Sequence, residues 1–161
     1  MTFAQFDRSR LQLQPLAERT HDLDRGCLIF PDSSREPFDH PALPELAARI
    51  VAAAGQDRTV MFCCGAHVLC KGNGPLLIDL MQRGLITHLA INGAGAIHDF
   101  EMALIGGTSE SVARYVRTGE FGLWRETGRI NDAAVAGAAD GIGLGEAIGR
   151  MIQQEEFPDR E

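Results

Sequence analysis

The chain has 161 residues, 45% of them hydrophobic, and a formal net charge of -7, with a pI of about 5.2 and a mean hydropathy of -0.07. That length and balance suit one globular domain with a real core. They argue against a general nucleic-acid binder, which needs a basic footprint to displace counterions. No apolar run is long enough to span a bilayer, and the start MTFAQFDRSR is too polar for a secretory leader, so the cytoplasm is the expected location.

In chain order, Met1–Asp24 mixes charges with Leu11, Leu13 and Leu16 without a clear period. It reads as an N-terminal arm, residues 1–25, ahead of an α/β domain over residues 26–161. Gly26–Phe30 reads as a short strand, whereas Pro31–Pro44, with four prolines, cannot be one regular element. Leu43–Ala54 has helical spacing, with Leu46, Ile50 and Val51 apolar. Thr59–Cys64 is a strand-like apolar run followed by Gly65-Ala66-His67 and then Gly72-Asn73-Gly74-Pro75. Pro75 fits the first turn of a helix whose apolar stripe is Leu76, Leu77, Leu80 and Met81. Leu89–Ile91 is a second strand. The order strand, loop, helix, strand predicts a parallel pair joined by a right-handed crossover. Beyond it, His98–Ile105 reads as a short helix, Thr108–Arg117 as another with a cap around Thr108 and Ser111, and Val135–Gln154 as one helix with Ile142, Leu144, Ile148 and Ile152 as core candidates.

Both strands therefore run into glycine. Ligands of open α/β sheets bind outside the C-terminal strand ends. After Ile91, the small residues Gly93, Ala94 and Gly95 let main-chain N–H groups approach an anion, with Asn92 as turn residue or ligand contact. The spacing is not the full dinucleotide fingerprint. His98, Asp99 and Glu101 follow at a helix start, a place where the helix dipole alone favours carboxylates by ~0.3 to 1 kcal/mol. The cysteines are Cys27, Cys63, Cys64 and Cys70; the spacing CCGAHVLC matches no common zinc pattern, so buried, reduced thiols and no metal site are expected. Three expected strands make a thin sheet for about five helices. Either a partner completes the fold or the chain is the front half of something larger, and apolar faces such as Ile142–Ile152 need cover.

The run FCCGAHVLCKGNGPLLIDLMQRGLITHLAINGAGAIHDFE and, further on, GEFGLWRETGRIND stand in one register. Through these, Phe62–Asn131 resembles deoxyhypusine synthase and its bacterial relatives, which transfer an aminobutyl group using NAD on a Rossmann-like three-layer α/β fold. The resemblance implies that NAD is held by Gly65, Ala66, His67 and Gly72 and by Asn92, Gly93, Ala94 and Gly95. It places Asp99 where the family has an acidic residue near nicotinamide and amine, and puts His98 where the family has a second acid. A neutral imidazole does not attract a polyamine cation as a carboxylate does. The family's nucleophilic lysine and most of its amine-binding residues lie in a C-terminal half not present here; Lys71 is the lone lysine, at a different motif position. The resemblance thus implies an NAD-dependent aminoalkyl transferase acting on a small-molecule amine, with a homo-oligomer or a companion chain completing the site. A noncatalytic nucleotide-binding or assembly module is the alternative.

Overall fold

A computed structural model of the chain describes residues 3–160; residues 1, 2 and 161, the outer ends of the expected arm and domain, lie outside the described residues. The chain divides into two compact units, Arg25–Asp99, and Met1–Asp24 together with Phe100–Glu161. Among the described residues no helix is long and apolar enough to cross a membrane.

The middle unit is a mixed α/β assembly around a parallel strand pair. Helix α1 spans Leu43–Ala54, with Pro44 in its first turn, where a missing N–H costs nothing. Strand β2 (Met61–Cys64) pairs in parallel with β3 (His88–Ile91), in a register that sets Met61 against His88 and Cys64 against Ile91. Thr87 pins that register: its Oγ1 accepts from the Val60 N–H at 2.9 Å and its own N–H donates to the Val60 carbonyl at 3.0 Å. Between the strands run the short α2 (Ala66–Cys70) and α3 (Gly74–Gln82), the latter with Pro75 in its first turn as its sequence predicts. Helix α4 (Gly93–Ile105) follows β3 directly. The parallel pair is thus present.

Gly26–Phe30 is not a strand. Arg25–Cys27 forms a 3-10 turn, and Ile29 donates its N–H to the Gly72 carbonyl at 2.8 Å instead of joining a ladder. The strand lies just before it: β1 (His21–Asp24) pairs antiparallel with β4 (Gly107–Glu110), Leu23 opposite Thr108. Neither alternates apolar and polar residues, so periodicity could not show them.

The second unit is built on β1 and β4 with α5 (Val112–Thr118), α6 (Arg129–Asp140) and α7 (Leu144–Gln154). The expected arm is tied to this unit from Gln14 onward, with Leu16 and Arg19 buried and β1 paired. Gln14 bridges Trp124, and Leu16 is 1% exposed against Tyr115 and Trp124, whose rings meet edge to face at 4.9 Å. The helix expected over Val135–Gln154 is two, broken where Gly141 takes a left-handed conformation (φ 71) that ends α6. They pack closely: a Cβ on Gly137 would come within 2.8 Å of the Ala147 Cβ. The Ile148 and Ile152 side chains are buried, so most of the face expected to seek a partner is covered within the chain.

Candidate functional site

Gly65, Ala66, His67, Gly72, Asn92, Gly93, Ala94, Gly95, His98 and Asp99 all lie in the Arg25–Asp99 unit, whereas Glu101, grouped with His98 and Asp99 in the sequence, belongs to the other. Cys64 and Ile91 are partners in the parallel register, so the residues that follow them emerge from adjacent strands about 4.8 Å apart. From β2 the chain passes through Gly65, extended at φ -87, into α2, with Ala66 buried and His67 exposed. From β3 it passes through Asn92 into α4. Both candidate loops therefore sit at the same end of the sheet.

Asn92 is a helix cap. Its Oδ1 accepts the Gly95 N–H at 3.0 Å, three residues on, which is the bonding that makes asparagine a preferred cap. GAG is therefore the first turn of α4 and not a separate glycine loop. With the Gly95 N–H engaged, Gly93 and Ala94 are left with N–H groups that have no acceptor among the described residues and no carbonyl within the helix to reach. Both residues are exposed. The thirteen-residue α4 adds the positive end of its dipole at that point. Two exposed donors on a dipole end can hold the oxygens of one phosphate group.

The glycines differ in what surrounds them. A Cβ at Gly93 would meet nothing within 4 Å, so the backbone there is open to a ligand. A Cβ at Gly95 would lie 3.3 Å from the Ile91 Cβ and 3.5 Å from the Leu69 Cδ1, so this glycine lets α4 sit close on β3 and α2. Gly65 is open. Gly72 has φ +84, and a Cβ there would be 1.9 Å from the Cys27 carbonyl oxygen. Its side-chain direction is filled by protein backbone.

Asp99 falls one helical turn beyond Gly95 on the same face of α4. Burial of its carboxyl among neighbouring atoms raises its pKa above the ordinary 3.8, although the residue keeps an exposed surface. Desolvation from one side, with the other open, accounts for both, and the open side means that water still screens the charge. A carboxyl shifted toward neutrality is better matched to proton transfer than an ordinary one. A raised carboxyl pKa also means that ionising Asp99 opposes folding: its contribution is complete below pH 3.8 and is lost as pH rises through the folded-state value. Asp99→Asn is therefore expected to stabilise the chain at pH 7 by less than about 0.5 kcal/mol, given the screening. The gain should vanish in urea titrations repeated at pH 3. A loss of stability at pH 7 would contradict the one-sided burial.

His98 is half-buried and shares the α4 face of Ala94. Lys71 is exposed at the C-terminal end of α2, the ordinary place for a cation on a helix dipole. Of the four cysteines expected to be buried only Cys70 is; Cys63 is exposed on β2 and Cys27 and Cys64 are half-buried, and no cluster of three or more His, Cys, Asp or Glu among the described residues could hold a metal ion. The Cys27 thiol points at the Cys70 carbonyl at 3.9 Å.

The sequence sets Glu101 beside His98 and Asp99 as a carboxylate at the helix start, but in the fold it belongs to a buried polar cluster of the other unit. Glu101 is 2% exposed and takes a two-pronged ion pair from Arg19, at 2.7 and 2.8 Å. Thr108 Oγ1 donates to the same carboxylate at 2.8 Å and Thr127 Oγ1 at 3.1 Å. Arg19 also lies over the Trp124 ring, 5.7 Å from its centroid. Every lone-pair direction of the carboxylate is used within the protein, so Glu101 braces the fold and is not available to a substrate.

Two grooves lie elsewhere. One of about 410 Å³ runs between α6 and α7; the other, about 700 Å³, lies beside Val51, Arg58, Thr59, Arg83, Leu85 and Thr87, at the strand entries and opposite the glycine end. No protein-family model, curated protein or solved structure matches this chain.

Proposed function

We propose that the chain binds NAD over the C-terminal ends of β2 and β3, as one half of a Rossmann-like, deoxyhypusine synthase-like site. The observation that carries this reading is the start of α4. Adjacent parallel strands both lead into glycine-bearing turns, Gly65 after β2 and Asn92-Gly93 after β3, and the second opens a long helix with two N–H groups lacking an acceptor among the described residues and no side chain at Gly93. These features fit the pyrophosphate of a dinucleotide. Gly93 and Ala94 would hold its oxygens, Gly65–His67 would border it, and Asp99 would orient an amine or exchange a proton with it. NAD, when bound, supplies a hydride acceptor. Aminoalkyl transfer additionally needs a nucleophilic lysine, which in this reading comes from a partner segment.

The second reading is a noncatalytic nucleotide-binding or assembly module. The exposed position of Lys71, the lone lysine, favours it for this chain by itself, because an amine nucleophile needs burial or a cationic neighbour to lower its pKa.

Calorimetric titration with NAD tests the site. A Cβ at Gly93 meets nothing within 4 Å, so Gly93→Val is expected to fold with unchanged circular dichroism while weakening NAD binding at least about tenfold, the equivalent of ~1.4 kcal/mol. Undiminished binding by Gly93→Val would remove the helix start from the site. No binding to the unaltered chain at millimolar NAD would overturn the NAD reading.

A further inference from the structure

Cys27 and Cys70, 43 residues apart in sequence, meet within the Arg25–Asp99 unit. The segments that carry them are backed against each other. The Ile29 N–H donates to the Gly72 carbonyl at 2.8 Å, and a Cβ at Gly72 would come 1.9 Å from the Cys27 carbonyl oxygen, so only glycine admits so close an approach. The Cys27 Sγ in turn lies 3.9 Å from the Cys70 carbonyl oxygen. Both residues are thiols. Cys27 ends a 3-10 turn and is half-buried, keeping part of its surface in solvent. Cys70 ends α2, is 6% exposed, and sets its Sγ 3.7 Å from the His67 carbonyl.

From this contact we propose that Cys27 and Cys70 are a peroxide-sensitive pair that closes into a disulfide, clamping the segment before Ile29 onto the end of α2. A disulfide forms where the two Cα atoms stand close and the side chains converge. The Cys27 sulfur already rests against the main chain of Cys70, so closure asks for a turn of the Cys70 side chain between staggered positions about its Cα–Cβ bond. That turn releases only a weak thiol hydrogen bond to His67. Cys63 and Cys64 are placed differently: consecutive on β2, they project from opposite faces and cannot bond each other without breaking the strand.

The chemistry balances with a hydroperoxide as oxidant. The Cys27 thiolate attacks the O–O bond; an S–O bond forms, the O–O bond breaks, and an alcohol, or water from hydrogen peroxide, leaves with the thiol proton. The Cys70 sulfur then displaces the hydroxyl of that sulfenic acid, forming the S–S bond and losing its own proton to the departing water. Two thiols have given up two electrons and the hydroperoxide has taken them. A dithiol returns the pair to its reduced form by exchange. Closure joins positions 43 residues apart, removing much freedom from the unfolded chain, and it holds the Ile29 to Gly72 hydrogen bond shut. None of the atoms involved belongs to α4, so closure does not depend on a nucleotide bound there.

Peptide mapping tests the pair. Treatment of the dilute chain with hydrogen peroxide in about tenfold excess, then tryptic digestion without reductant, is expected to join Gly26–Arg35 to Thr59–Lys71, the chain itself remaining at 17.5 kDa. Fragmentation of the joined peptides should put the bond on Cys70, and dithiothreitol should undo it. Amide exchange at Ile29 should slow at least about tenfold on oxidation and recover on reduction. Cys70→Ser should leave Gly26–Arg35 unlinked; should that variant unfold, fragmentation of the unaltered chain still assigns the bond. Absence of the link in the unaltered chain, a bond on Cys63 or Cys64, or unchanged Ile29 exchange in the linked protein would each overturn the proposal.

Discussion

Glu101→Ala is expected to destabilise the chain by about 3 to 5 kcal/mol, the usual consequence of removing one member of a buried ion pair. Arg19 and Glu101 are 2% and 3% exposed at their side chains, so the guanidinium left behind cannot recover its hydration. Its Nε already lacks a hydrogen-bond partner among the described residues, and the loss of Glu101 would strand the other two nitrogens as well. The Thr108 and Thr127 hydroxyls lose their acceptor in the same step, at roughly 1 kcal/mol or more for each buried group left unsatisfied. With native stabilities of about 5 to 15 kcal/mol, the variant would stand close to unfolding at room temperature. The urea midpoint measures this directly. A paired replacement, Arg19→Met with Glu101→Leu, should recover most of the loss, since apolar substitutes for buried ion pairs are often neutral or better. A single-variant loss below about 1 kcal/mol would show that water reaches the pair.

Gly72→Ala carries the next largest expected effect, a loss of at least about 3 kcal/mol. The left-handed backbone alone costs an L-residue ~1 to 2 kcal/mol, but the larger penalty is contact. A methyl group 1.9 Å from the Cys27 carbonyl oxygen and 2.7 Å from its carbon cannot be accommodated by a rotamer change, because the atoms in the way are backbone. The chain around Cys27 must move, and the Ile29 to Gly72 hydrogen bond is lost with it. Gly84→Ala is the matched comparison: φ is +69 there, yet nothing lies within 4 Å of the added carbon, so it should cost only ~1 to 2 kcal/mol. Urea midpoints of the two variants separate the contact from the conformation. Equal losses would mean that the Cys27 segment yields easily.

What the sequence made legible followed from short-range pattern. The α1 stripe, the Pro75 helix start and the apolar runs that form β2 and β3 all carry their signal within a dozen residues, and all four stand where the pattern puts them. The glycine-to-helix passage after Ile91 was legible as well, though not that Asn92 caps α4 and takes up one of its donors. Long-range pairing was not legible. Arg19 and Glu101 lie 82 residues apart, and Gln14–Asp24 has no period because its partners, Trp124 and β4, determine what it packs on. The break between α6 and α7 was written in Gly141-Ile142-Gly143, but α7's amphipathic continuation outweighed it in a reading by apolar spacing alone.

Three of the glycines in the candidate loops answer to different masters. Gly72 is held by the backbone of Cys27, Gly95 by the side chains of Ile91 and Leu69, and Gly93 by no atom of its own chain within 4 Å. On the proposed nucleotide-binding reading, loss of that ligand would release Gly93 and Gly65 to drift, because a Cβ at either meets nothing within 4 Å, while Gly72 and Gly95 would stay fixed by the fold.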